Sequence, residues 1–374
     1  MKVFIFGSPG FGGHEIMAIK ILRVVLERGT CVTCFVNDAN SRLLEELCKL
    51  DVNVMRFPFV ESKLDLVFGS ANPYCVSLAV TMRRELQARN AQHVILINGN
   101  AVANHRATLG ILQACKRLSV RSTVYIPMVH TAAELGLPRS KALFYTRAVK
   151  RGIGLSSDVL VISETWKKRV EWLCPAQSTY VVHNLVDLAS IPPARASQPS
   201  RIPVRLCFIG RYDRKQKGLD FLFEAFALLS AHGNVTIDLV GDGDDRPFVE
   251  DAIGKLPASV GARVRQHGWV GDPLRILNQC DALLMPSRVE GAPLVALEAR
   301  RLGLPVFAFD VPGVNDIVPS HYLSPPFDVL HFTKNILNGG ALAAVQKTGQ
   351  DDEIQKYFDP VRFADEVCAA LAIT

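Results

Sequence analysis

The chain has 374 residues, 49% of them hydrophobic and 21% charged, which is typical of a folded protein long enough for two domains of roughly 150–200 residues. The opening apolar run breaks at Gly7, too early for a signal peptide core. No later run reaches the roughly 18 apolar residues of a membrane span, so we expect a cytoplasmic protein.

The net charge of +6 is unevenly distributed. Residues 1–185 hold 23 Lys and Arg against 13 Asp and Glu, a net charge of +10, whereas the remainder carries −4. A basic half can meet anionic lipid or an acidic substrate, or it can be a solvated surface. We therefore predict peripheral contact with the inner face of an anionic membrane through two basic clusters, Arg147, Lys150 and Arg151, and Lys167, Lys168 and Arg169.

The nine cysteines lack the spacing of a disulfide framework, which predicts reduced and mostly buried thiols. Cys31 and Cys34 have the spacing of a redox or metal pair. They lie in a predicted strand, TCVTCFV, where residues three apart face opposite ways, and no second Cys/His pair is nearby. We favour a core position for this pair over a functional one.

The first half opens with a βαβ pattern of the Rossmann kind. KVFIFG reads as a buried strand, a glycine loop follows, and a helix with apolar positions from Ile16 to Leu26 ends at Gly29 before the strand TCVTCFV. A later helix is expected to begin with Ser163 as its cap. Further strands are predicted at VNVMRF, HVILIN, STVYIPMVH and DVLVIS.

Proline, serine and alanine dominate Ile191–Pro203, as in a linker, and the strand–helix rhythm then restarts. Strands are predicted at VRLCFIG, VTIDLVG, VRQHGW, DALLMP and LPVFAFD, and helices from near Leu219, Asp245, Asp272 and Pro293. The fold class is α/β, with two tandem Rossmann-like, doubly wound parallel-sheet domains, residues 1–188 and 204–358, and the ligand site in the cleft between them. The terminal helix at 360–374 can pack on either domain, including back on the first.

Glycines at positions 7, 10, 12 and 13 allow close approach of the backbone to a pyrophosphate, but such a loop also serves as a plain strand–helix turn. Asp38, at the end of the second strand, matches the acidic residue that binds ribose in dinucleotide sites. A nucleotide-dependent oxidoreductase therefore remains an alternative, although no hydride-transfer constellation accompanies it.

The segment Ser287–Glu298 predicts a phosphate site with a carboxylate beside it. Glu290 follows a buried strand, and Pro293 suits the first turn of a helix whose N-terminus can hold a phosphate. Arg211 and Lys217, in the glycine-bounded loop GRYDRKQKG, can present a fork and a point charge to one diphosphate. The charges alone would also fit a solvated basic turn, but the position of the loop directly after a strand favours the binding site. A phosphate cradle with a hydroxyl acceptor indicates a nucleotide sugar. His130, at the end of the run STVYIPMVH, is a further candidate at the rim of the cleft, although a lone histidine at a strand end is more often structural or a surface residue.

The second half resembles the donor-binding domain of family 4 retaining glycosyltransferases, which have the GT-B fold. GRYDRKQKGLD, LVGDGDDRPFVE, HGWVGD, MPSRVEGAPLVALEA and GLPVFAFDVPGVND carry the resemblance in that order. The first half is similar more loosely, through GGHEIMAIKIL, MVHTA, SDVLVISE and VVHNLVD. Ala292 departs from the pattern, because a larger apolar residue is frequent there.

The resemblance implies a role for each matched residue. Glu290 would contact hydroxyls of the transferred sugar, Glu298 would bind the ribose, and backbone N–H groups from Ala292 through Pro293 to Leu294 would hold the diphosphate with Arg211 and Lys217. His130 would lie near the donor sugar. The remaining nucleotide-binding positions are Gly12 and Gly13 in the first domain and Gly210, Trp269 and Val270 in the second.

The implied reaction moves a hexose from a UDP- or GDP-linked sugar to a carbohydrate or lipid-linked acceptor, as in bacterial-type polysaccharide or glycolipid assembly. We expect no cofactor and no metal, since two cations and a helix dipole would neutralise the leaving diphosphate. No nucleic-acid partner is expected. A non-catalytic protein that binds sugar nucleotides is the remaining alternative, which the intact charged set disfavours.

Overall fold

The computed structural model describes residues 1–59, 72–102, 105–193, 203–338 and 352–373. These residues form two compact units, one comprising Met1–Leu185 and Asp359–Thr374 and the other Val186–Phe358. Most of the predicted linker at Ile191–Pro203 lies outside the described residues. Within the described ranges, no helix has the length and apolar character needed to cross a membrane.

The first unit is built on a seven-stranded parallel sheet with the order β3-β2-β1-β4-β5-β6-β7. The central strands are continuous apolar runs that are buried on both faces, as parallel sheets require. Its strands are β1 (Lys2–Phe6), β2 (Val32–Asn37), β3 (Asn53–Phe57), β4 (His93–Ile97), β5 (Arg121–Tyr125), β6 (Asp158–Val161) and β7 (Ser178–Val181). The predicted Rossmann-like, doubly wound parallel sheet is therefore confirmed for this unit.

The helices of the first unit connect successive strands. They are α1 (Gly13–Glu27), α2 (Ser41–Leu47), α3 (Pro73–Ala88), α4 (His105–Leu118), α5 (Arg139–Leu155) and α6 (Glu164–Leu173). Ser163 is the N-cap residue of α6 as predicted, but its side chain makes no capping hydrogen bond. The hydroxyl of Ser163 is buried, so the backbone geometry and not a side-chain cap starts this helix.

The second unit repeats the architecture with a six-stranded parallel sheet, in the order β10-β9-β8-β11-β12-β13. Its strands are β8 (Val204–Ile209), β9 (Val235–Val240), β10 (Val264–Gly268), β11 (Ala282–Met285), β12 (Val306–Phe309) and β13 (Leu323–Ser324). Its helices are α7 (Arg214–Lys217), α8 (Leu219–His232), α9 (Arg246–Lys255), α10 (Ala258–Gly261), α11 (Leu274–Leu277), α12 (Leu294–Arg301), α13 (Val329–Asn338) and α14 (Asp352–Gln355). Short 3₁₀ turns occupy Leu188–Ser190, Ser320–Tyr322 and Lys356–Phe358.

The last helix, α15 (Pro360–Leu371), returns to the first unit and contacts α1. Phe363, Val367 and Leu371 are all buried, as their helical spacing indicated. Asp359 caps the helix by accepting the N–H groups of Val361 and Arg362. The C-terminal segment therefore completes the core of the unit that the N-terminus begins.

Cysteine burial confirms the core position predicted for Cys34, but the same prediction was wrong for Cys31, which lies just before β2. All nine cysteines are free, and five of them are buried. Cys31 is exposed whereas Cys34 is fully buried in β2, so the two thiols do not form a pair on one face. Within the described residues, no group of three or more His, Cys, Asp or Glu side chains could hold a metal ion.

His93, at the start of β4, is a buried histidine that should make stability depend on pH. Nε2 lies 2.7 Å from the Thr123 hydroxyl, and burial, followed by the charges of Lys2 and Arg121, lowers the pKa of His93 to about 3. The imidazole of the unfolded chain binds a proton near pH 6.5, whereas that of the folded protein binds it only near pH 3. The stability that depends on neutral His93 is therefore fully present above pH 6.5 and is lost as pH falls from 6.5 toward 3. We expect the free energy of unfolding to fall by about 2 kcal/mol from this group between pH 7 and pH 5.

Urea unfolding followed by tryptophan fluorescence, at both pH values, measures this effect. His93→Gln keeps a hydrogen-bonding side chain without the titration and should lose less stability than the wild type between pH 7 and pH 5. Equal losses in the two proteins would show that His93 does not carry the dependence.

Candidate functional site

The loop that follows β8 places Lys217 against the end of β11. Asp213 accepts the N–H of Gln216 and so starts the single turn of α7. Gly218 ends this turn in the left-handed region, with a φ of 65°, and a Cβ at this position would lie 1.9 Å from the carbonyl oxygen of Pro286. The backbone can make this contact only at glycine, so the sequence Lys217-Gly218 fixes the lysine beside the loop after β11.

Lys217 pairs with the buried carboxylate of Glu290. Its Nζ donates to Glu290 Oε1 at 2.6 Å, and the Ser287 hydroxyl donates to the same oxygen at 2.7 Å. Glu290 is only 4% exposed and Ser287 is also buried. The geometry brings together two of the predicted residues and adds Ser287, which sequence reasoning did not single out although it opens the same motif.

Arg211 lies in the same loop but faces differently. Its side chain is exposed, and Nη2 donates to Gln216 Oε1 at 3.1 Å and lies 3.4 Å from Asp213 Oδ2. The N–H of Gly210, the preceding residue, donates to the Val240 carbonyl and so ties the loop to β9. Arg211 and Lys217 therefore contact different partners here, and their shared contact with one diphosphate stays a prediction.

The loop after β11 leads into α12 through Pro293, its N-cap residue. Ala292 and Pro293 are buried, while Leu294 and Glu298 are partly exposed and lie one turn apart on the helix. Pro293 has no N–H group, so the backbone donors expected from Ala292 to Leu294 reduce to those of Ala292 and Leu294. Within the helix, the first-turn N–H groups lack intrahelical acceptors and can receive an anion.

The segment His267 to Val270 lies at the carboxyl end of β10, with Trp269 exposed and Val270 partly exposed. His267 Nε2 lies 2.6 Å from Oδ1 of the fully buried Asp238. Burial opposes the charge of Asp238, but hydrogen bonds from Arg205 and His267 outweigh it and hold the pKa of this carboxyl below its usual range. A polar cavity of about 370 Å³ opens next to this segment, lined by Tyr212, Arg246, Glu250, Gln266, His267 and Gly268.

In the first unit, the predicted glycine loop ends at Gly12, the N-cap of α1, and Gly13 is the first residue of the helix. The N–H of Gly12 donates to Glu15 Oε2 at 2.8 Å, and Glu15 is buried. His14 Nε2 lies 2.6 Å from the other oxygen of this carboxylate. Sequence reasoning missed Glu15, although a Glu three residues after an N-cap is the recognised signature of a capping box.

His130 is buried, at 4% exposure, and does not lie on an open rim. Its ring meets Trp166 edge-on with 4.8 Å between centroids, and Nδ1 lies 3.8 Å from Glu134 Oε2. Arg169 holds Glu134 with two hydrogen bonds of 2.8 Å. Burial opposes the charge of Glu134, but the nearby His130 ring and the hydrogen bonds from Arg169 and the Thr131 N–H outweigh it and hold the pKa of this carboxyl far below its usual range. The four-residue spacing of His130 and Glu134 was the available signal for this cluster.

Comparison with known proteins identifies the second unit. Residues 203–338 match the family model described as Glycosyl transferases group 1. The second unit therefore resembles this family over those residues, and the two parallel sheets with flanking helices have the GT-B fold of the solved structures that the chain matches. HepE from Anabaena, solved in complex with UDP-glucose, superimposes with a TM-score of 0.74 at 17% identity, covering 99% of each chain.

Two sequence relatives match over shorter segments. An uncharacterised 41.2 kDa protein in the cps region of Klebsiella pneumoniae is 31% identical over 146 residues, 37% of this chain and 38% of that protein. A lipopolysaccharide 1,6-galactosyltransferase of Salmonella typhimurium is 28% identical over 151 residues, 38% of this chain and 40% of that protein. The chain thus spans well under half the length of these relatives.

Proposed function

We propose that the protein is a glycosyltransferase that moves a hexose from a nucleoside diphosphate to an acceptor hydroxyl. The observation that carries the proposal is the Lys217–Glu290 pair, held beside the start of α12 in a glycosyl transferases group 1 domain. A cation and a helix N-terminus suit a diphosphate, and a buried carboxylate suits sugar hydroxyls.

The hydrogen bonds of Glu290 support its role as a hydroxyl acceptor. Lys217 and Ser287 both donate to Oε1, and no other described side chain donates to Oε2. This arrangement leaves lone pairs of Oε2 for the hydroxyls of a sugar. Glu290 therefore accepts hydrogen bonds from the hydroxyls of the donor sugar, while Lys217 balances its charge.

Charge development at the leaving group determines what the other residues do. When the bond between the anomeric carbon and the diphosphate oxygen breaks, negative charge grows on the diphosphate and positive charge on the sugar ring. Lys217, Arg211 and the N–H groups at the start of α12 stabilise that negative charge. His130 acts near the donor sugar, Glu298 binds the ribose, and Gly12, Gly13, Trp269 and Val270 complete the nucleotide contacts.

We further propose that the enzyme belongs to family 4, retains the anomeric configuration and uses a UDP-linked donor. The order of motifs from GRYDRKQKG to VPGVND supports the family, and the UDP-glucose bound to HepE supports the base. Because Glu290 binds hydroxyls of the donor sugar, we assign no carboxylate nucleophile. A leaving phosphate oxygen accepts the acceptor proton on the same face, and the name of the Salmonella relative favours an acceptor in lipopolysaccharide assembly.

A thermal-shift screen with UDP-, GDP- and ADP-sugars, followed by a hydrolysis assay, tests the proposal. We expect one nucleotide-sugar class to raise the melting temperature, since a ligand that binds only the native state stabilises it by RT ln(1+[L]/Kd). We also expect slow release of the free sugar. Stabilisation by NAD or NADP alone would favour the oxidoreductase. Binding of a nucleotide sugar without turnover would favour a non-catalytic protein, and formation of an isomerised sugar nucleotide would favour an epimerase.

A further inference from the structure

Helix α5 presents an unusual exposed face. The helix contains five basic residues and no acidic one. At about 100° per residue, Arg139, Leu143, Arg147 and Lys150 lie within one stripe of roughly a quarter of the helix circumference. Phe144 and Arg151 extend this stripe on one side, and the opposite face packs into the unit through Tyr145, Ala148, Val149, Gly152 and Ile153.

The apolar members of this face are well exposed. Leu143 is 64% and Phe144 is 53% accessible to solvent. Two adjacent, exposed apolar side chains lower the solubility of a protein, so their position among cations indicates an interaction surface. Trp172, near the end of α6, is also exposed, and the thiol of nearby Cys174 lies 3.8 Å from the Lys150 carbonyl, so the end of α6 adjoins α5.

The structure also sorts the basic residues expected to contact a membrane. Arg147, Lys150 and Arg151 are exposed on α5. Arg169, by contrast, is held by Glu134 through two hydrogen bonds, and Lys167 lies 4.0 Å from Glu164. Arg147 and Lys150 are therefore exposed and form no ion pair among the described contacts, and among the three α6 residues the same holds for Lys168.

We propose that the exposed face of α5 docks on an anionic phospholipid surface, with Leu143 and Phe144 entering the boundary between headgroups and acyl chains. Exposed cations on a helix that contains no acidic residue fit a negatively charged leaflet, and large apolar side chains gain from leaving water there. An acidic polysaccharide or a nucleic acid would match the cations but would leave both apolar side chains without a role. This inference rests on the surface of the first unit and is independent of the proposed activity.

Sedimentation with vesicles tests the docking, using phosphatidylcholine alone and phosphatidylcholine mixed with phosphatidylglycerol. We expect the protein to bind the mixed vesicles, with binding weakened by salt, and to remain in solution with phosphatidylcholine alone. Leu143→Ser/Phe144→Ser should lower the partition coefficient by about tenfold or more. Arg147→Gln/Lys150→Gln should lower it by a similar factor and reduce the salt dependence.

The matched control is Leu330→Ser/Val361→Ser, which removes two side chains that are 70% and 69% exposed on other helices and should leave partitioning unchanged. All substituted residues are exposed, and an unchanged melting temperature confirms folding. The proposal is wrong if the protein stays in solution with anionic vesicles at low salt. It is also wrong if Leu143→Ser/Phe144→Ser leaves vesicle binding unchanged, because binding would then depend on charge alone, as at a site for an acidic polysaccharide.

Discussion

Lys217→Ala is expected to lower the turnover of the nucleotide sugar by about 100-fold or more at saturating donor. A preorganised cation at the leaving group acts mainly in the transition state, and losing one such donor typically costs 10²- to 10³-fold in turnover, roughly 3–4 kcal/mol. The structure adds a second cause, because the alanine variant leaves the buried carboxylate of Glu290 with Ser287 as its remaining side-chain donor. Release of free sugar, measured over a range of donor concentrations, gives the effect on turnover separately from that on KM.

Lys215→Ala provides the matched control for this substitution. It removes the same charge from the same short helix, but Lys215 is exposed to solvent, so turnover should stay within about twofold of the wild type. If folded Lys217→Ala turns over donor as fast as the wild type, Lys217 has no part in the mechanism.

Stability must be separated from catalysis at this pair. Removing one partner of a buried ion pair costs about 3–5 kcal/mol because it leaves an uncompensated charge, although the partial exposure of Lys217 reduces that figure here. Lys217→Met/Glu290→Gln removes both charges and should be more stable than Lys217→Ala while remaining inactive. If Lys217→Met/Glu290→Gln regains activity as well as stability, the Lys217–Glu290 pair acts only in folding.

The sequence predicted the fold well where burial is continuous. Runs such as KVFIFG and VRLCFIG are buried on both faces of parallel sheets, and their apolar character alone marks them as strands. The edge strand β7 was missed because Ser178–Val181 alternates between exposed and partly buried positions and is only four residues long. The run STVYIPMVH was predicted as one strand, but β5 ends at Tyr125, since Pro127 cannot donate to a ladder.

The site was less predictable because its contacts join residues that are distant in sequence. The charge of Lys217 could be read from the sequence, but its bond to Glu290, 73 residues later, depends on the adjacent positions of β8 and β11. Local patterns would have found Glu15, through its spacing from Gly12. The pair Arg169 and Glu134 joins α6 to the loop before α5, and no local periodicity encodes such a contact.

Gly313→Ala should disturb the site from outside it and lower the free energy of unfolding by about 3 kcal/mol. Gly313 follows β12 with a φ of 87°, and a Cβ there would lie 1.9 Å from the carbonyl oxygen of Gly291 and 2.9 Å from that of Glu290. The new methyl group must push the Glu290–Gly291 backbone away, and this movement separates the carboxylate from Lys217. Urea unfolding measures the stability, and the hydrolysis assay measures the site.

Gly303→Ala separates the two causes of this effect. Gly303 has a similar φ of 76°, but its Cβ would meet nothing within 4 Å, so alanine there bears only the cost of the left-handed backbone, about 1–2 kcal/mol. Gly233 has an extended backbone and open space, so Gly233→Ala should be close to neutral. The expected order of destabilisation is therefore position 313, then 303, then 233, with lost turnover only at 313. Equal effects at 313 and 303 would mean that backbone strain acts alone and that the loop after β12 does not hold Glu290 in place.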